Sequence, residues 1–398
     1  MVGSQQKPRK HAPKLFHKKS RTGCQQCRSR RVKCDESKPI CSHCSRLELS
    51  CIYDRAVSDS NSSSPTENGG QQQNKSVVET IVDPPESESR RKQELSLFHQ
   101  YMTDTGPSIA LDPITAHFWV TTICRLALKS DATLYSIYMV AAMHTDKRSN
   151  FTDTKALETS QTYLNMTIRE HHKDVTDINA ENVEYICLTS SMLRVYGYTR
   201  LQRRSLEPYT PPVDLLRITG TSTALFRNAW DIIRDNPESV VYQMIESAAD
   251  LLEDNDSNEL PDDLKPLLSR EKPHEVEEPW DEETEDAYVR ALSLIGRIRN
   301  FMDRENINKS IGRRTIVFPM MMRPKFADLV EELRPRALVI LAYYFALLSM
   351  LSEFWWIGDS GVREIRAIEK ILPDEWQDWL EWPRSILQFQ DTVMDGNV

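Results

Sequence analysis

The sequence predicts a mainly helical protein in two parts: a small cysteine-rich module near the N-terminus and a large all-α domain, joined by a disordered linker. Six of the eight cysteines fall within residues 24–51. Only 12 of 398 residues are glycine, about 3% against a typical share of about 7%, which disfavours many-turned β architectures. The apolar run 337–351 is shorter than the roughly 20 residues that span a bilayer. It therefore predicts a buried helix and no membrane span.

Composition and charge divide the chain further. Residues 1–20 are predicted to be a basic disordered tail, 21–55 the cysteine-rich module, 56–90 a polar disordered linker, and 91–398 the helical domain. Residues up to 55 carry a net charge of +10 and the remainder −19. A basic head on an acidic body predicts that the head contacts a polyanion and the body does not. The linker shows no sustained leucine heptad, so we expect no coiled-coil dimer directly after the module.

The cysteines follow the spacing C-x2-C-x6-C-x6-C-x2-C-x6-C. The first three recur 17 positions later, so the segment duplicates one C-x2-C-x6-C unit. No apolar segment follows the N-terminal charges as in a secretory signal, so we expect reduced thiols in the cytosol or nucleus. The two copies of the unit consist of Cys24, Cys27 and Cys34, and of Cys41, Cys44 and Cys51.

Ligand counting favours two metal ions. One tetrahedral zinc takes four thiolates and leaves two cysteines over, and two separate zincs need eight. Six suffice if two of them bridge, and the duplication makes Cys24 and Cys41 the natural bridging pair. A disulfide framework needs an oxidising compartment that nothing in the sequence indicates. We therefore predict two zinc ions as cofactors, with His43 as a surface residue rather than a further ligand.

The two copies differ in the residues between their cysteines. The first is dominated by cations, and the second contains Leu47 and Leu49, which we expect to pack beneath the cluster. Guanidinium groups bond guanine O6 and N7 or pair with phosphates, so the first copy is predicted to enter the DNA groove. The predicted DNA contacts are Arg28, Arg30, Arg31, Lys33, Lys18, Lys19 and Lys38.

The stretch RTGCQQCRSRRVKCDESKPICSHCSRLELSCIY resembles the fungal binuclear zinc-cluster DNA-binding domain. It matches the six cysteines, the C-R-x-R-[basic]-x-K-C-D block, Pro39 before the fourth cysteine and Tyr53 after the sixth. The resemblance implies that the first and fourth cysteines bridge two zincs. It also implies that Arg30 and Arg31 contact a CGG-type half-site, although the family usually has lysine in place of Arg31. The expected function is that of a nuclear transcription factor of RNA polymerase II genes.

Periodicity predicts successive helices from Glu94 to Phe389, with the apolar run at their centre. The predicted helices are Ile114–Lys129, Ala132–Thr145, Ser160–His172, Ala180–Tyr196, Ser222–Ile233, Ser239–Leu252, Thr284–Glu305, Lys325–Glu332, Ala337–Leu351 and Gly361–Leu372.

Three blocks of the body resemble the regulatory domain of fungal zinc-cluster factors related to the sterol uptake control protein: ELSLFHQYMTDT, AENVEYICLTSSMLRVYGY and a block from FPMMMRPKF to DEWQDWLEWP. This resemblance implies an effector domain that binds an apolar ligand, and a role in sterol, lipid or secondary-metabolite genes. Six methionine and aromatic residues in the last block could line an effector pocket or pack in the core, since such side chains suit both, and core packing is the favoured interpretation. They are Met320, Met321, Met322, Phe354, Trp355 and Trp356.

Two acidic stretches, 249–263 and 275–286, contain seven and eight acidic residues and no basic residue. Each is either a solvated loop, the favoured interpretation, or a segment that recruits co-regulators. An alternative function is therefore a regulatory interaction protein that binds DNA weakly and acts through a partner factor.

An enzyme is not expected from this sequence. It lacks the phosphate-binding loop G-x-x-x-x-G-K-[ST], the nucleophile motif G-x-S-x-G and the metal motif H-E-x-x-H. Cys124 and Cys187 fall in apolar helices and are typical of inert core thiols.

Overall fold

The computed structural model describes residues 23–30, 32–37, 40–47, 51, 85–111, 113–246, 260–302 and 310–394. The chain divides into two compact units, Met1–Val78 and Glu79–Val398. The predicted tail 1–20 and most of the predicted linker, residues 56–84, lie outside the described residues.

The N-terminal unit contains two short helices, α1 (Gln25–Ser29) and α2 (Ser42–Arg46). Each begins directly after the first cysteine of one sequence copy, which confirms the two predicted helix-loop units. Its buried interior is made of cysteines. Leu47 is 40% exposed, so the prediction that it packs beneath the cluster is wrong: the interior is filled by sulfur. Leu49 lies outside the described residues.

The described part of the body consists of helices joined by turns and loops, and the described residues contain no strand. Its first helix begins inside the predicted linker, where the Ser87 side chain accepts a hydrogen bond from the Arg90 amide and caps the helix. Single π-helical turns, Tyr101–Thr105 and Phe118–Thr122, join α3 to α4 and α5 to α6. The helices in chain order are α3 (Glu88–Gln100), α4 (Gly106–Ile109), α5 (Pro113–His117), α6 (Ile123–Ala127), α7 (Asp131–Arg148), α8 (Thr154–Asp174), α9 (Val183–Leu201), α10 (Val213–Ile233) and α11 (Val240–Ile245).

The second half of the body continues in the same way. Three 3₁₀ segments interrupt it: Lys265–Leu268, Phe318–Met321 and Asp374–Leu380. The helices are α12 (Pro273–Val276), α13 (Glu282–Met302), α14 (Ser310–Val317), α15 (Pro324–Glu331), α16 (Pro335–Ser349), α17 (Ser360–Ile371) and α18 (Glu381–Met394).

Most predicted helices are present, with ends shifted by a few residues. The helix predicted over Ile114–Lys129 contains the second π-helical turn. The one predicted over Ser239–Leu252 is described as α11 only to Ile245, because residues 247–259 lie outside the described residues. Periodicity missed α3, α4, α12, α14 and α18. No helix in the described part of the chain is long and apolar enough to cross a membrane.

Helix α16 lies at the centre of the body, as its all-round apolar sequence predicts. Every residue from Arg336 to Ser349 is buried, and α13, α17 and α18 pack against it. Gly361 allows the close approach of α17, because a Cβ atom there would lie 2.6 Å from the Phe345 carbonyl oxygen. The packing of α16 thus organises the C-terminal half of the body.

Part of the acidic stretch 275–286 belongs to this core. Arg336, which is 1% exposed, donates through Nε to Glu278 Oε2 at 2.7 Å. Tyr288 donates its hydroxyl proton to the other carboxylate oxygen of Glu278 at 2.5 Å. Glu275 is also buried. The favoured interpretation of this stretch as a solvated loop is therefore wrong for these residues, and of the stretch 249–263 only residues 260–263 are described.

Candidate metal centre and nucleic-acid interface

The six cysteine sulfurs form two overlapping groups of four. Within each group, all sulfur atoms lie within 4.8 Å of one another. His43, on α2, is half-buried and belongs to neither group. Cys24 and Cys41 belong to both groups. The groups are Cys24, Cys27, Cys34 and Cys41, and Cys24, Cys41, Cys44 and Cys51.

Backbone amides at the start of each short helix point at the shared sulfurs. The Cys27 amide donates to Cys24 Sγ at 3.4 Å, and the Cys44 amide donates to Cys41 Sγ at the same distance. The second bond repeats the first after 17 residues. Hydrogen bonds to sulfur favour its thiolate form. The bond from the Cys44 amide lowers the pKa of the Cys41 thiol, whereas burial outweighs the corresponding bond at Cys24 and raises its pKa.

The remaining cysteines follow the same symmetry. The Cys24 amide donates to Cys34 Sγ at 3.4 Å, and the Cys41 amide donates to Cys51 Sγ at 3.3 Å. These bonds are again 17 residues apart. The duplicated sequence therefore folds into two equivalent halves around one cluster.

The sulfur separations fit zinc. Two thiolates bound tetrahedrally to one zinc at about 2.3 Å lie about 3.8 Å apart. Cys24 Sγ lies 3.8 Å from Cys41 Sγ and 3.6 Å from Cys44 Sγ, and Cys27 Sγ lies 3.6 Å from Cys41 Sγ. Disulfide sulfurs would lie about 2.05 Å apart. Burial raises the pKa of the Cys27 and Cys44 thiols, so a cation is needed to hold them as thiolates.

Asp35 connects the two halves, a role that sequence reasoning missed. Its carboxylate accepts hydrogen bonds from the Ser42 amide at 3.1 Å and the Ser42 hydroxyl at 2.5 Å, at the start of α2. The Ser37 hydroxyl also donates to it. Hydrogen bonds from Ser42 and Ser37 lower the pKa of Asp35 to about 2. The sequence signal for this role is the aspartate that directly follows Cys34 in the C-D block, seven residues before Ser42.

Two predicted DNA contacts lie on the surface of the first half. The backbone turn after α1, where the Arg30 amide donates to the Gln26 carbonyl at 3.1 Å, leaves Arg30 exposed, and Lys33 is exposed as well. Arg28 lies within α1, and only its backbone is described. Arg46 in α2 is an exposed cation of the second half. The predicted contacts Arg31, Lys18, Lys19 and Lys38 lie outside the described residues.

The body contains a cavity of about 100 Å³. Of the six residues singled out from the sequence, Met320, Met321 and Trp356 line it. Trp355 does not: it stacks on His144 with ring centroids 4.4 Å apart. Met322 and Phe354 do not line it either. Three of the six residues therefore line the cavity, and the other three pack in or against the core.

The two other cysteines are core residues. Cys124 and Cys187 are both buried. Burial raises the pKa of the Cys124 thiol to about 11 and raises that of Cys187 further. Neither thiol has the lowered pKa of a nucleophile.

Comparison with known proteins agrees with the geometry. Residues 22–60 match the family model of the fungal Zn(2)-Cys(6) binuclear cluster domain. This segment is therefore a fungal zinc-cluster domain, and the chain has homologues among Zn(2)-C6 fungal transcription factors. The zinc-cluster domain binds two zinc ions, and this domain together with these homologues implies DNA-binding regulation of transcription.

Two relatives match most of the zinc-cluster chain. The Zn(2)-C6 fungal-type transcription factor afumD of Aspergillus fumigatus is 29% identical over 86% of this chain and 88% of its own length. A Zn(2)-C6 fungal-type transcription factor of Gibberella zeae is 25% identical over 97% of this chain and 88% of its own length. Both are named as transcription factors and not as enzymes.

The similarity to sterol regulators is confined to the cluster. Sterol uptake control protein 2 of Candida albicans is 55% identical over 38 residues, which are 10% of this chain and 5% of that protein. This match lies at the N-terminal cluster. It gives no support to the resemblance predicted for the body, whose counterpart lies in the two relatives above.

Proposed function

We propose that the chain is a sequence-specific regulator of RNA polymerase II genes that acts in the nucleus and binds CGG-like half-sites in double-stranded DNA. The observation that carries the proposal is the pair of four-sulfur groups that share Cys24 and Cys41. In this proposal the two shared sulfurs bridge the zincs. All six cysteines are ligands.

The protein's own residues would then position the DNA contact. Bound zinc supplies the cross-links that hold the two halves together, since the unit has no apolar core of its own among the described residues. Asp35 ties α2 to the loop of the first half. Arg30 stands exposed at the end of α1, where a guanidinium can bond guanine O6 and N7. Arg31 acts beside it, while Lys18, Lys19, Lys33 and Lys38 neutralise phosphates.

We assign residues 21–55 to DNA binding, 56–86 to the linker and 87–398 to regulation, which moves the predicted boundary at residue 90 to the capping residue of α3. The body, with its apolar cavity, serves as the effector domain. A role in sterol, lipid or secondary-metabolite genes stays a prediction, because the match to a sterol regulator covers the cluster alone. Contact with co-regulators would also fall to this part of the chain.

A second candidate function is weak DNA binding that depends on a partner factor. The observation that favours it is the net charge of −19 carried by residues 56–398. An acidic body is repelled by DNA and suits a basic protein surface. Specific DNA binding by the chain on its own would decide against this candidate.

Arginine substitutions in the two halves test the proposal. Arg30→Ala in the full chain should weaken binding to a CGG-containing duplex by about 1 to 3 kcal/mol and barely affect a scrambled duplex. Arg46→Ala is the charge-matched control, because Arg46 is an exposed cation on the second helix. It should weaken binding to both duplexes slightly and equally. Titration by fluorescence anisotropy measures all four affinities, and equal losses on both duplexes for Arg30→Ala would refute base recognition.

A further inference from the structure

The cavity in the body has an almost entirely apolar wall. Helices α9, α10 and α14 contribute to it, with Val195, Phe226 and Ile316 among the lining side chains. Apolar cavities with few, well-placed polar groups are typical of small-molecule sites. The polar groups in the wall therefore indicate which ligand fits.

Arg194 is a buried cation in this wall. It is 9% exposed, and its guanidinium donates to the Ser191 hydroxyl at 2.9 Å and contacts the Met320 sulfur. The guanidinium also lies over the Phe226 ring, 5.1 Å from its centroid. No carboxylate among the described residues pairs with it. Burial lowers the pKa of Arg194, which reflects the cost of holding its charge away from water.

Arg336, the least exposed arginine among the described residues, shows what Arg194 lacks. Arg336 has a carboxylate partner in Glu278 and donates to two backbone carbonyls, those of Leu267 and Ser269. A buried charge without such compensation costs several kcal/mol. The neutral contacts of Arg194 leave its charge uncompensated.

A second donor lies in the same wall. Trp356 is 2% exposed, and its indole Nε1 has no hydrogen-bond partner. Its ring lies 5.6 Å from that of Tyr198, which follows Arg194 by one helical turn on α9 and so shares its face. The hydroxyl of Tyr198 is already bonded to Tyr344 and to the Ile316 carbonyl. A buried cation without a carboxylate partner and an indole N–H without an acceptor thus both lie in the wall of an apolar cavity.

We propose that this cavity binds a lipophilic carboxylate, with the carboxylate paired to Arg194 and the hydrocarbon part against the apolar wall. A carboxylate supplies the counter-ion and the acceptors that the wall lacks, and a buried charge-assisted pair favours the acid over the uncharged analogue. The inference rests on the proposed role of the body as an effector domain. It does not depend on which DNA triplet the zinc cluster recognises.

Equilibrium dialysis of the full chain with hexanoate and with 1-hexanol, probes short enough for a cavity of about 100 Å³, tests the inference. We expect hexanoate to bind at least about 30-fold more tightly than the alcohol. Arg194→Met preserves side-chain length and removes the charge, so it should remove this preference while changing hexanol binding by less than about threefold. Arg200→Met, an exposed arginine on the same helix, should leave both affinities unchanged.

Each other result overturns part of the proposal. Equal binding of acid and alcohol by the native chain would refute the carboxylate anchor and leave an apolar effector site. Absence of binding for both would refute the carboxylate site and the effector role of the cavity, while DNA binding by the cluster would stand. If Arg194→Met does not fold, the preference of the native chain for hexanoate over its methyl ester decides, and no preference refutes the anchor.

Discussion

The zinc-cluster module and the helical body are stabilised by different physics. The described interior of the module consists of cysteines, and its two helices have five residues each, far below the length at which isolated helices are stable in water. The body buries a continuous apolar core around α16. The comparison teaches that one chain contains two different determinants of folding, zinc binding for the module and apolar burial for the body.

Tryptophan fluorescence can report on one of the two regions alone. All eight tryptophans lie in the body, between Trp119 and Trp382. Unfolding of the module therefore leaves their emission unchanged. DNA binding reports the state of the module in the same sample.

Zinc removal should separate the regions most strongly. Structural zinc contributes about 10 to 16 kcal/mol of apparent binding free energy in modules of this size, and this energy is also the folding energy. A strong chelator should abolish DNA binding and leave the tryptophan emission and helical circular dichroism of the body nearly unchanged. Readdition of zinc should restore DNA binding. Specific binding that persists in chelator would show that the module does not need the metal.

Loss of a buried ion pair should affect only the body. Arg336→Met leaves Glu278 buried without its cation, which should lower the free energy of unfolding by about 3 to 5 kcal/mol. The matched control is Arg323→Met, because Arg323 pairs with Asp286 at 2.8 Å at the surface and exposed pairs contribute about 0 to 1 kcal/mol. Urea titrations followed by tryptophan emission measure both changes. Reduced DNA affinity per folded chain in Arg336→Met would contradict the independence of the regions.

Acid should weaken the body through His171. Burial, with a smaller effect of the neighbouring His172, lowers the pKa of His171 to about 4, below its value of about 6.5 in an unfolded chain. The unfolded chain therefore binds the proton first. The stabilising effect of neutral His171 is complete above about pH 6.5 and is lost as the pH falls toward 4.

The corresponding variant is His171→Gln, which should flatten the pH dependence of urea unfolding between pH 6.5 and 4 by up to about 3 kcal/mol. His117→Gln, at an exposed position, should leave that dependence as it is in the native chain. If both variants behave alike, the titration of His171 does not control the stability of the body in acid.

Sequence patterns predicted the features that depend on local spacing. The 17-residue duplication predicted two equivalent sulfur groups, and the apolar run predicted the central helix. The role of Asp35 was not predicted, because its contact with Ser42 depends on how the loop between the two residues folds. The pairing of Arg336 with Glu278 spans 58 residues, and no local pattern encodes it. The position of Arg194 in the cavity wall could not be predicted either, because several helices that are distant in sequence form that wall.

The most direct test of the account is the selection of binding sites from a random pool of double-stranded DNA by the full zinc-loaded chain. The account predicts enrichment of CGG triplets, loss of that enrichment in chelator, and its recovery when zinc is restored. The spacing and orientation of the triplets would also report whether two chains bind together. Recovery of sequences without CGG triplets, or equal enrichment in chelator, would contradict DNA recognition by the zinc cluster.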